Sequence, residues 1–158
     1  MKIGEHTMGE HIRLLAPLLG FIAAVWAGRM VLYAAKAPPA EVYYCSVTAA
    51  GAISVLLAVL LVYFKRFGGY LSVITCAVLI EAWAQLLISL AIAFTILTDV
   101  PTVYTAPPFS GRMTPLQNMF SHVTFSLSFG SLFGAAMGCV LLWILRVLVP
   151  PESFQKHG

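Results

Sequence analysis

The chain has 158 residues, 60% of them hydrophobic and only 9% charged, against about 25% charged in soluble globular domains. That composition excludes an ordinary soluble domain, and a net charge of +3 scattered along the length excludes a nucleic-acid-binding surface. The apolar residues fall in continuous runs, not in the alternating segments of about ten residues that a membrane β-barrel needs.

Four runs each reach the roughly 20 residues that cross a bilayer as a helix: 14–35, 42–64, 71–97 and 119–149. The expected fold is a single all-α transmembrane domain over 1–158, a four-helix bundle with antiparallel up-down crossings. Lys2, Arg13, Lys65, Arg66, Arg146 and Lys156 then fall on one side and Arg29, Lys36 and Arg112 on the other. The positive-inside rule makes both termini and the Lys65-Arg66 turn cytoplasmic. The expected location is the cell (inner) membrane, multi-pass.

Met1–Ile12 is short and polar. Its Glu5-His6 and Glu10-His11 pairs are five residues apart, which does not stack them on one helical face. They read as a solvated arm, not a metal site. Helix 1 carries Ala16, Gly20, Ala24 and Gly28 at four-residue spacing, and Pro17 is placed in its first turn, where a missing N–H costs least. The run is too long for the core of a cleaved signal peptide, and Arg29 interrupts it, so it reads as a retained anchor. Pro38-Pro39 ends this crossing, and Glu41 suits the N-terminal turn of the next.

Helix 2 repeats the small ridge with Ser46, Ala50, Ser54 and Ala58. In the turn after it, Gly68 and Gly69 are free to take the left-handed C-cap. Helix 3 differs: its four-spaced ridge reads Ala77, Glu81, Gln85, Ser89, Ala93, with polar groups in the middle. The outer loop 98–118 has Pro101, Pro107 and Pro108 and no usable period. It reads as an interfacial loop, with Tyr104 and Phe109 in the headgroup layer, or as a lid or partner-binding segment. Ala37-Pro38-Pro39 and Ala106-Pro107-Pro108 are too short a match to establish a duplication.

Helix 4 opens on Thr114, Pro115 and Gln117, the pattern of a capping box with proline at the first helical position, and it stops at Pro150-Pro151. Ser126, Gly130, Gly134 and Gly138 leave one face nearly bare. Small residues let membrane helices approach closely, so this face and Gly20-Ala24-Gly28 are the packing candidates, either inside the bundle or toward a second copy or a larger complex.

Glu81 is the only acid deep inside a crossing, and a charge there costs several kcal/mol unless paired or neutralised. Gln85 lies one turn away, Ser54, Ser128 and Ser131 stand at similar depth, and Arg29 lies about 7 Å further out. Three readings compete for Glu81: an internal ion pair or buried hydrogen-bonded acid, a proton or cation site, and a pair with a basic group on another subunit. His122 is the only histidine within a crossing and reads as bonded to loop or water. With Cys45 it makes the nearest approach to a metal set, but Cys45, Cys76 and Cys139 have neither zinc nor redox spacing and read as structural thiols. Trp26 and Trp83 lie deep and read as packing.

No nucleophile motif, phosphate loop or paired catalytic carboxylates appear, and no cofactor is expected. The leading expectation is a small non-enzymatic integral membrane protein, self-associating or an accessory subunit of a membrane complex, in contact with the lipid bilayer. The alternatives are a small oligomeric transporter or channel using Glu81 and Gln85, and a membrane redox or enzyme subunit with a site at His122.

Overall fold

A computed structural model describes residues 2–107 and 109–149. The expectations for Pro108, for the Pro150-Pro151 stop and for the tail with Lys156 lie outside the described residues. The regular structure of the described residues is helical except for one two-residue ladder, in which Lys2–Ile3 (β1) pairs with His6–Thr7 (β2). Four helical stretches are long and apolar enough to cross a membrane: Met8–Ala34, Pro39–Phe64, Tyr70–Thr98 and Pro115–Leu148.

Helix α1 (Met8–Ala34) starts earlier than 14 because Thr7 and Glu10 form a capping box. The Thr7 N–H donates to Glu10 Oε2 at 2.6 Å, and the Glu10 N–H donates to Thr7 Oγ1 at 3.3 Å. This corrects two expectations. Pro17 lies inside the helix, more than two turns from its start, where it removes one ladder bond. His11 is buried, with Nδ1 2.9 Å from the Thr7 carbonyl oxygen, and His6 stacks on Phe67 at 3.7 Å between centroids. The N-terminal segment is therefore packed under the bundle instead of being a solvated arm.

The second stretch is not continuous. Helix α2 (Pro39–Tyr44) ends at Cys45, and Ser46 caps α3 (Val47–Phe64) by accepting from the Ala49 N–H at 3.3 Å. Ser46 thus serves the backbone, while Ala50, Gly51, Ser54 and Ala58 form the buried ridge. After α3 the left-handed position is taken by Arg66 (φ 52), with Gly68 (φ 83) following.

Helix α4 (Tyr70–Thr98) is the hub, packing against α1, α3 and the last helix. The final stretch comprises α5 (Pro115–Ser121), a π-helical segment at His122–Ser126, and α6 (Leu127–Leu148). Its start carries the expected Thr114-Gln117 capping box. The interior holds Leu15, Ile22, Val59, Val73, Ile80, Ile92 and Leu142. The outer surface is just as apolar, with Leu132, Phe125, Phe129 and Phe133 all well exposed, as a helix wall facing hydrocarbon requires.

Each end of the bundle is tied. At one end the Tyr63 hydroxyl donates to the Val149 carbonyl, and Arg146 lies over the Tyr70 ring. At the other, the segment between α4 and α5 folds back onto the molecule. Thr102, Val103, Tyr104, Ala106 and Ser110 are all buried. The hydroxyls of Thr95, Thr102 and Thr105 converge within 3.0–3.5 Å of one another, and Asn118 Nδ2 donates to the Tyr104 carbonyl at 2.6 Å.

Candidate intramembrane polar site

Glu81 lies eleven residues into α4, about 16 Å along its axis, and its side chain enters a gap made by two glycines. A Cβ added at Gly130 of α6 would fall 2.5 Å from both Cδ and Oε1 of Glu81 and 2.9 Å from Cγ. The carboxyl therefore occupies the volume that any side chain at 130 would need. On the α3 side, a Cβ at Gly51 would lie 3.9 Å from Glu81 Oε2. Gly51 does not stand out in the sequence because it sits inside a small-residue run with no repeat of its own.

The carboxyl is the first member of a hydrogen-bonded chain. Gln85, one turn along α4 and buried, donates from Nε2 to Glu81 Oε1 at 2.6 Å. Gln85 Oε1 lies 2.8 Å from Nδ1 of His122. His122 thus bonds to the polar ridge of α4, not to loop or water as the sequence suggested.

The π-helical segment makes this reach possible. In an unbroken α-helix, eight residues turn about 800°, leaving His122 about 80° away from Gly130. The wide turn, closed by the Leu127 N–H on the His122 carbonyl, absorbs one residue. Seven α-helical steps then separate the two, about 700°, which returns His122 to within about 20° of the glycine face. No residue in His122–Ser126 announces such a turn, so the link was not legible locally.

Other candidates fall elsewhere. Arg29 does not approach Glu81; its guanidinium lies over the rings of Tyr104 (5.1 Å) and Phe109 (5.6 Å) in the folded-back segment. Among the described residues the only ion pair is His6–Glu10; of the expectation of an internal ion pair or a buried hydrogen-bonded acid at Glu81, the contact seen is the hydrogen bond from Gln85. Ser54 is buried with its hydroxyl unpartnered. Ser131 and Ser126 are half-buried, and Ser128 faces outward.

Along the same face of α6, a Cβ at Gly134 would meet Val55 and Ala77 at 3.6–3.9 Å, and one at Gly138 would meet Val73 Cγ1 at 2.7 Å. The similar series on α1 meets nothing: Gly20 and Gly28 have open space within 4 Å, and Ala24 is exposed. Trp83 donates to the Leu19 carbonyl at 3.0 Å and thereby ties α4 to α1. Cys45 stands at the α2–α3 break, and among the described residues no group of three His, Cys, Asp or Glu side chains could hold a metal.

The chain Glu81–Gln85–His122 has two self-consistent arrangements. With Glu81 ionised, the Gln85 amide donates to it, so Gln85 Oε1 must accept from an Nδ1–H of His122. With Glu81 protonated, its O–H donates to an amide turned the other way, and the Gln85 NH2 donates to a bare Nδ1. The amide passes no proton itself, but its orientation couples the charge of the acid to the tautomer of the imidazole. π-helical turns are frequent where function demands a re-aimed side chain. Comparisons with protein-family models, with curated proteins and with solved structures returned no match, so the reading of the site rests on its geometry.

Proposed function

We propose that the protein is a small integral membrane carrier that binds and releases a proton, or a small cation in its place, at Glu81. The single observation supporting this is the seating of an intramembrane carboxyl between Gly51 and Gly130. It is backed by an amide and an imidazole, with the one deep arginine engaged elsewhere. A charge held only for structure would gain most from a cation beside it; a site that must lose and regain a proton is served by neutral, reorientable partners. In this reading the four stretches cross in alternating directions in the cell membrane, with both termini and the Lys65-Arg66 turn in the cytoplasm. No enzymatic step is assigned.

Reconstituted vesicles test this directly. The wild-type chain is expected to dissipate an imposed pH gradient faster than protein-free vesicles. Glu81→Gln, which keeps the shape and removes the titrating group, is expected to return the rate to background without loss of folding or assembly. Equal rates for the two proteins would refute the proposal.

A second reading, that the chain self-associates or serves as an accessory subunit, is favoured by one separate observation. The Ala16-Gly20-Ala24-Gly28 face of α1 has nothing packed on it, and close helix approach across small residues is what holds membrane helices together. The expected mass in mild detergent is then a multiple of the monomer, reduced to the monomer by Gly20→Leu. A strictly monomeric wild type would rule out self-association.

A further inference from the structure

The bundle end that carries the Lys65–Gly69 turn contains a cavity of about 720 Å³ that plays no part in the Glu81 site. Its floor is the N-terminus of α4. Gly69 occupies the N-cap position there with no side-chain hydrogen bond to the first turn, so the positive end of a long helix opens into the cavity. Arg146 is held over that same turn. Its guanidinium lies 4.9 Å from the Tyr70 ring centroid, and its Nη2 is 3.5 Å from where a Cβ at Gly69 would stand. Arg66 also lines the cavity.

Arg146, exposed and in the last turn of α6, thus brings a second positive group to the positive pole of α4, and an anion between the two would complement both. The acid on the lining, Glu5, makes no ion pair with Arg146 among the described residues. Ser72 adds an independent sign. It is 3% exposed and lines the cavity, and its hydroxyl has no hydrogen-bond partner among the described residues. Gly68, in the left-handed conformation (φ 83), leaves room for that hydroxyl, since a Cβ there would fall on it.

We infer that this cavity is a binding site for a phosphate-bearing anion. The phosphate would sit among the Tyr70 and Leu71 amides at the start of α4 (those of Ser72 and Val73 donate to the Gly69 carbonyl), the Ser72 hydroxyl and the Arg146 guanidinium, the arrangement by which helix N-termini and arginine forks hold phosphate. Exposed Leu71 on the rim joins the cavity to the apolar wall of the bundle. An anionic phospholipid can place its headgroup inside while its chains stay in the bilayer, and a soluble phosphate compound presents the same chemistry. The inference does not depend on Glu81.

The test uses the full chain in mild detergent, followed by native mass spectrometry and thermal unfolding with three probes: phosphatidylglycerol, phosphatidylcholine and inorganic phosphate. Retention of phosphatidylglycerol is expected to exceed that of phosphatidylcholine about tenfold, the worth of one charge-assisted contact. Arg146→Gln is expected to abolish the preference, and Ser72→Ala to weaken it roughly threefold, which keeps the test decisive if the arginine variant folds poorly. Lys65→Gln, an exposed charge outside the cavity, should change nothing. Stabilisation by inorganic phosphate alone, lost in the same variants, would assign the site to a soluble phosphate compound. Equal retention of both lipids with no response to phosphate, or a preference unchanged in both Arg146→Gln and Ser72→Ala, would overturn the inference.

Discussion

Gly138→Ala and Gly130→Ala are expected to destabilise the protein by about 1–3 kcal/mol each, the usual cost of overpacking, while Gly134→Ala is expected to be tolerated. All three changes add the same methyl to the same helix, and each raises helix propensity by about 1 kcal/mol. The difference lies in what the methyl meets. At 134 the nearest atoms are at 3.6–3.9 Å, ordinary contact, so the propensity gain is kept. At 138 the methyl falls 2.7 Å from Val73 Cγ1 and 3.2 Å from Val59 Cγ2, both on stiff β-branched side chains. At 130 it falls on the Glu81 carboxyl, which can swing aside only by giving up its bond to Gln85 and finding another place for a polar group in an apolar bundle.

That distinction supplies the decisive measurement. Removing the carboxyl with Glu81→Ala should rescue most of the loss from Gly130→Ala and none of the loss from Gly138→Ala, a coupling that a double-mutant cycle isolates. Unfolding in detergent reads it for all three glycines. Purely additive losses at 130 and 81 would mean that the carboxyl does not rest in the Gly130 gap.

Arg29→Ala is expected to release the segment between α4 and α5. The guanidinium faces Tyr104 and Phe109, and each such contact is worth about 2 kcal/mol when desolvated. The expected readouts are a lower unfolding temperature and faster proteolysis within 99–114, with the helices left uncut. Unchanged proteolysis would show that the threonine cluster alone holds the segment.

The same contact has a pH signature. Burial pushes the Tyr104 phenol up to about 12, with the Arg29 charge pulling more weakly the other way. A raised acid binds its proton more tightly folded than unfolded. Its contribution is therefore complete below about 10, the ordinary tyrosine value, and is lost as pH rises through about 12. Tyr104→Phe, which keeps the ring under Arg29, should remove that alkaline loss and retain resistance to proteolysis.

How much of this was readable in the residues depended on how local each cause is. The capping boxes at Thr7-Glu10 and Thr114-Gln117 are local, four-residue patterns. The second is marked by Pro115; without the first, the sequence places Pro17 in a first turn and buried His11 in a solvated arm. The break at Cys45-Ser46 carries neither glycine nor proline. The segment from Val100 to Met113 resembles a surface loop because of its prolines, but the hydroxyls of Thr102, Thr105 and Ser110, with Thr95 of α4, satisfy its backbone and that of α4.

The chain by itself determined that four helical stretches are long and apolar enough to cross a membrane, and that Glu81 and Gln85 share one face of the third. Hydropathy and helical period are properties of neighbouring residues and need no partner. Tertiary structure decided everything that depends on what stands opposite. Gly20 and Gly130 belong to the same kind of four-spaced series, yet one faces open space and the other receives a carboxyl. Arg29 and Glu81 are near in depth, yet the arginine is taken by Tyr104. His122 joins Gln85 only because a single wide turn rotates it there. A helix's sequence sets which side chains share a face, but the rotation and neighbours of that face are settled only when the helices pack.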